Sequence, residues 1–137
     1  MSATVIKSDA RVIDAKAQDV FDYLNDFNNF KDLLPEDKIS DWAADKDQCS
    51  FKVQNAATIP LIKDSVEAPG KINIVSGDKA PFPFTLVIHL KPTDDENKTE
   101  GHLVFEGEIN AFLKMMVVTP LTNLFNYMSQ KLQEKFQ

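Results

Sequence analysis

The chain has 137 residues, 43% of them hydrophobic and 26% charged, with a formal net charge of −6 at pH 7. That length suits one domain with a sizeable core, and residues 1–137 are read as such. The acidic balance, with no cluster of Lys and Arg, excludes nucleic acid as a partner and disfavours attraction to anionic lipid surfaces.

The first stretch, residues 4–14 ("TVIKSDARVID"), is β-rich and predicts an opening strand. In "AQDVFDYLNDFNNFKDLLP" the period changes: Val20, Leu24, Phe27 and Leu34 recur near helical spacing, with Tyr23 and Phe30 beside them. The Asn- and Asp-rich "NDFNN" breaks this run, so two short helices are expected, ended at Pro35. "QCSFKVQN" alternates, placing Cys49, Phe51 and Val53 on one face of a strand. There Cys49 reads as a small buried hydrophobe, not a nucleophile. As the one cysteine of the chain it has no internal disulfide partner and suits a reducing compartment.

"ATIPLIKDSVE" is extended, with Pro60 marking an edge or a bulge. "KINIVSGD" is a strand with Ile72 and Ile74 inward, closed by a Gly-Asp turn. In "DKAPFPF" two Pro-Phe pairs fix a rigid strand entry that buries Phe84, or else leave Phe82 at a cavity mouth or partner surface. "PFTLVIHLK" and "TEGHLVFEGEI" pair through the polar loop "PTDDENK". Setting Lys91 opposite Glu100 opposes unlike charges and places Ile88 against Leu103 and Leu86 against Phe105. The same register sets His89 opposite His102 on the other face.

Residues 110–136 read as one long helix, about 40 Å at 1.5 Å per residue, with Asn110 as N-cap. Leu113, Met116, Val117, Pro120, Leu121, Leu124, Tyr127, Met128 and Leu132 share a broad stripe. Thr119, Thr122, Asn126, Ser129 and Gln133 occupy the opposite side, and Phe112, Met115 and Val118 extend the apolar character beyond the stripe. Lys114, Thr119, Thr122 and Asn123 interrupt the run, which falls short of the ~20 apolar residues of a membrane span. The leading "MSATVIKSDARV" lacks signal-peptide features. A cytoplasmic protein without stable membrane insertion is the expectation.

A strand, two short helices, five or six antiparallel strands and a final long helix resemble the START/Bet v 1-like helix-grip superfamily. "VIDAKAQDVFDYLND" is similar to its opening motif at Ala15, Val20, Phe21, Leu24 and Asp26, and "LLP" at 33–35 to its continuation. Many members carry proline after that alanine, where this chain has Lys16. The resemblance implies an α+β helix-grip fold, a curved antiparallel sheet with the long helix lying across it. It also implies a cavity for lipids, sterols, polyketides or other flat apolar molecules. Some relatives are cyclases, some carriers, and some bind chaperones.

On that basis the expected ligand-binding set is Phe51, Val53, Asn55, Ile72, Ile74, Phe84, Leu86, Ile88, Phe105, Leu113, Met116, Val117, Pro120, Leu121, Leu124 and Tyr127. Leu103 shares the inward parity. The competing reading of the helix stripe is plain core. Proline inside a helix removes a hydrogen bond and kinks it, and adjacent methionines suit an adaptable apolar wall. Asn55 and Tyr127 are the candidate polar anchors, although Asn55 also reads as a turn residue. The inward strand set contains no acid, base or nucleophile, which favours a binder over an enzyme.

His89 and His102, with Glu106 on the same face, invite a metal, but a zinc site needs three or four close ligands. A solvated histidine pair without metal is expected, as are solvated Glu106 and Glu108. No HExxH, GxSxG, P-loop, CxxC or dinucleotide motif occurs, and no cofactor is expected. The expected function is binding or transport of a small hydrophobic ligand. The alternatives are a cyclase- or aromatase-like enzyme in the same cavity, and a module that docks an unidentified protein partner.

Overall fold

In the computed structural model, residues 3–54 and 57–137 are described. The strands are β1 (Thr4–Lys7), β2 (Arg11–Ile13), β3 (Ile39–Ala44), β4 (Gln48–Val53), β5 (Thr58–Glu67), β6 (Lys71–Ser76), β7 (Phe84–Pro92) and β8 (Thr99–Gly107). The α-helices are α1 (Ala17–Leu24) and α2 (Ala111–Lys135). All eight strands form one antiparallel sheet in the order β1-β8-β7-β6-β5-β4-β3, with β2 also pairing β8. This is the expected α+β helix-grip arrangement, with α2 across the sheet.

The β7–β8 ladder has the expected register: Lys91 faces Glu100, Ile88 faces Leu103, Leu86 faces Phe105 and His89 faces His102. Charge pairing and apolar matching reinforce each other there, so one register satisfies both. At the start of α2, Asn110 Oδ1 accepts a 2.9 Å bond from the Leu113 amide, supplying the expected cap.

Five expectations change, the last of them on α2. First, residues 4–14 are two strands, not one. The chain leaves the ladder at Ser8–Ala10, where the Ser8 amide donates to the Leu103 carbonyl at 2.9 Å and the Leu103 amide donates to Ser8 Oγ at 2.8 Å. A side-chain hydroxyl thus replaces a backbone acceptor at the break. Second, only the first short helix is α; Phe27–Leu33 and Glu36–Lys38 are 3₁₀. Asp26 caps the longer one through the Asn28 amide at 3.0 Å, and Phe27 stacks on Phe30 with centroids 4.4 Å apart.

Third, a strand not anticipated from the sequence, β3, forms the sheet edge beside β4 and carries Asp41 at φ 55°. Its partly buried residues, Ile39 and Trp42, are three apart, which leaves no two-residue alternation to read. Fourth, Pro60 sits in β5, between β4 and β6, and not at an edge. The bulge of this strand lies at Lys63/Ser65. The Pro60 carbonyl accepts from the Gly77 amide, just past the end of β6 at Ser76. The N–H that proline lacks falls on that same side, where no ladder partner remains.

The polar side of α2 was expected to oppose the core. Instead it docks on the β1–β2 break. Asn126 Oδ1 accepts from the Asp9 amide at 2.8 Å, Ser129 Oγ donates to the Asp9 carbonyl at 2.9 Å, and Gln133 Nε2 donates to the Val12 carbonyl at 2.9 Å. Backbone groups freed by the interrupted strand, at exposed or half-buried positions, thus find partners on the helix.

Candidate functional site

The cupped face of the sheet is filled largely by the protein's own side chains. Phe51, Ile72, Ile74, Phe84, Leu86, Ile88, Leu103 and Phe105 from the strands are at most 5% exposed, as are Val117, Leu121 and Leu124 from α2. At one end the filling is aromatic: Phe105 lies 5.1 Å from Phe84 and 5.6 Å from Phe125 between ring centroids. Phe82 is buried too, edge-on to Phe84 and Phe105. The "DKAPFPF" entry therefore turns both phenylalanines inward, and Phe82 is not presented to a partner.

Space remains at the side of the helix. A cleft of about 270 Å³ opens between the Pro120 region of α2 and the end of β4. Thr119, Pro120, Asn123, Leu124 and Tyr127 form the helical wall; Pro35, Lys38, Val53 and Gln54 form the opposite one. The helical residues fall together because 119, 123 and 127 are spaced by four, with 120 and 124 alongside. The opposite wall is pinned by backbone bonds. The Gln54 amide donates to the Lys38 carbonyl at 2.8 Å, and Ile39 pairs with Val53 at the start of the β3–β4 ladder. Pro120 has no amide to donate to the Met116 carbonyl. Two residues on, Thr122 Oγ1 donates back to the Val118 carbonyl at 2.7 Å, a contact that favours bending.

Of the sixteen residues expected from the sequence, Val53, Pro120, Leu124 and Tyr127 line this cleft. Phe51, Ile72, Ile74, Phe84, Leu86, Ile88, Phe105, Val117 and Leu121 lie in the packed interior. Leu113 is half-buried and Met116 is 47% exposed, upstream of the cleft. Asn55 lies outside the described residues. Pro35, Lys38, Gln54, Thr119 and Asn123 were not anticipated. Thr119 and Asn123 carried a signal in their spacing from Tyr127. Lys38 and Gln54, at segment ends, carried none.

Among the described residues lining the cleft, Lys38 and Tyr127 are the ionisable ones. Lys131 Nζ lies 5.6 Å from the centroid of the Tyr127 ring, a cation–π contact on one side of the cleft wall. Elsewhere, Cys49 is buried and its thiol is pushed up to about 12, by burial first and then by Asp45, so it is a poor nucleophile. His89 and His102 stack with centroids 4.8 Å apart and planes 12° from parallel, half-buried on the outer face. Burial, then His102, then Lys71 hold His89 below its ordinary 6.5. Among the described residues no three His, Cys, Asp or Glu side chains are grouped to hold a metal. Glu106 is exposed, and no described helix is long and apolar enough to cross a membrane.

No protein-family description matches the sequence, and no curated protein does. Solved structures do share the fold. A START superfamily protein from Mycobacterium smegmatis matches at TM-score 0.73 and 11% identity, covering 96% of each chain. Protein XoxI from Bacillus cereus matches at 0.73 and 15%, over 99% of this chain and 96% of that one. Norcoclaurine synthase from Thalictrum flavum, in complex with dopamine and hydroxybenzaldehyde, matches at 0.72 and 15%, over 97% of this chain and 86% of its own. The chain has the START/Bet v 1-like helix-grip fold.

Proposed function

We propose that this protein binds a small, largely apolar molecule in the cleft between α2 and the end of β4. The observation that carries this is the concavity itself: about 270 Å³ walled by Pro35, Val53, Pro120, Leu124 and Tyr127, with Lys38, Gln54, Thr119 and Asn123 among its polar lining residues. Few convergent polar groups around an apolar pocket are the usual make-up of a small-molecule site. The volume falls just under the ~300–1,000 Å³ of sites for drug-sized ligands. A single ring or a short acyl chain suits it, and a whole sterol does not. Covering ~150 Å² of apolar ligand surface contributes about 4 kcal/mol. Set against lost translational freedom, that implies weak, exchangeable binding, as a carrier needs. A cytoplasmic location belongs to the same proposal.

The test is titration of ¹⁵N-labelled protein with indole and with hexanol. Amide shifts are expected at Val53, Thr119 and Asn123. Asn123→Trp, an exposed substitution at the rim, fills the cleft and abolishes them. Shifts scattered over the surface and unaffected by Asn123→Trp would refute the site.

A second reading has its own observation. At the start of α2, Phe112 is 73% exposed, Met115 87% and Met116 47%. Adjacent exposed apolar residues, two of them methionines, suit docking of a protein partner. Under that reading, Phe112→Ser with Met115→Ser abolishes partner capture and leaves indole binding intact. For catalysis no comparable observation exists: the cleft's ionisable side chains are one lysine and one tyrosine, and His89 and Glu106 belong to the outer face.

A further inference from the structure

The cleft does not end at its apolar floor. A second, polar recess of about 410 Å³ adjoins it, lined by Asp37, Lys38, Ile39, Ser40, Lys52 and Gln54. Lys38 and Gln54 line both spaces and so stand at the boundary between them. Two lysines meet here with one carboxylate, Asp37, in a protein whose net charge is −6. The Gln54 amide bonds the Lys38 carbonyl and Ser40 pairs with Lys52 across the β3–β4 ladder, so the two lysines stand diagonally on one face of the pair. Among the ion pairs of the described residues, which join Lys63–Asp47, Lys71–Glu67, Lys98–Asp14 and Lys131–Glu134, neither Lys38 nor Lys52 takes part. Their ammonium groups are available to a ligand.

We propose that the ligand is an anionic amphiphile: a short apolar tail in the cleft and a carboxylate or phosphate head in the adjoining recess, held by Lys38 and Lys52. The proposal rests on the cleft binding an apolar group, as argued above. The arrangement selects by charge as well as by size. An ammonium head meets two like charges, a neutral head gains nothing from the recess, and an anionic head gains charge-assisted bonds. Gln54 adds an amide donor at the point where tail and head join. Both lysines are exposed, so the attraction is modest and screened by salt.

The experiment measures binding of octanoate, octyl phosphate, octanol and octylammonium to the intact protein and to Lys38→Ala and Lys52→Ala, at low and at high salt. Both positions are exposed, so the variants fold. Each substitution is expected to weaken octanoate or octyl phosphate about two- to fivefold. Octanol binding is unchanged in Lys52→Ala, whose side chain lines the recess and not the cleft, octylammonium binding is equal or stronger, and 1 M salt removes the difference. Whichever anion responds more strongly identifies the head. If octanol and octanoate both bind and neither lysine matters, the anionic head is overturned while the cleft stands. If no amphiphile binds, both proposals fall.

Discussion

Phe125→Ala tests whether α2 seals a packed interior. The Phe125 ring is 3% exposed and lies 5.6 Å from Phe105, which in turn contacts Phe84 and Phe82. Truncating such a ring removes its transfer free energy and leaves a cavity, a loss of about 3–5 kcal/mol. At ~2.1 cal/mol/K per residue, a 137-residue chain has an unfolding entropy of about 0.3 kcal/mol/K, so Tm falls by about 10–17 °C. Differential scanning calorimetry reads the shift directly. The void is apolar and enclosed, so it stays dry and takes up benzene; saturating benzene restores part of the lost Tm. A fall of less than ~3 °C, or no rescue by benzene, would mean that the space under the helix is open rather than filled. The cleft would then not be the site's true extent.

Two further outcomes follow from the same geometry. The His89–His102 stack makes stability depend on pH. Because folding lowers the His89 pKa below 6.5, the unfolded chain takes up the proton first; its contribution is fully present above about pH 6.5 and is lost progressively as pH falls from there through the lower folded pKa. Tm measured from pH 7.5 to 5.5 should fall less steeply in His89→Gln, and identical profiles would refute the assignment. Pro120→Ala restores the amide that reaches back to Met116, and relief of a penalty of ~3 kcal/mol raises Tm by up to about 10 °C. A lowered Tm would show that packing of the proline ring against the cleft wall outweighs the backbone term.

Parts of this architecture were legible because two independent constraints agreed. The β7–β8 register follows from charge pairing and apolar parity together, and the start of α2 from Asn110 and the periodicity behind it. Where a segment had one weak signal, the sequence was silent or misleading. The edge strand β3 has no two-residue alternation, and Ser8 interrupts a β-rich run only because its hydroxyl finds the Leu103 amide across the sheet. Asn126, Ser129 and Gln133 read as a solvent face because periodicity separates polar from apolar residues without saying what the polar side touches. The site was half legible for a related reason. Parity tells which side chains point into the cup, yet not whether their volumes fill it. Phe84, Phe105 and Phe125 fill one end, leaving the gap beside Pro120, where Lys38 and Gln54 arrive from segment ends.

The ties from Asn126, Ser129 and Gln133 to Asp9 and Val12 all lie C-terminal to Pro120. The trailing half of the rod is moored by these polar ties, whereas its leading segment, Ala111–Thr119, is held by the Asn110 cap and by the buried Val117. Amide protons before residue 120 are expected to exchange with solvent ahead of those after it, and equal rates would show that Val117 moors the leading segment as firmly as the polar ties moor the rest.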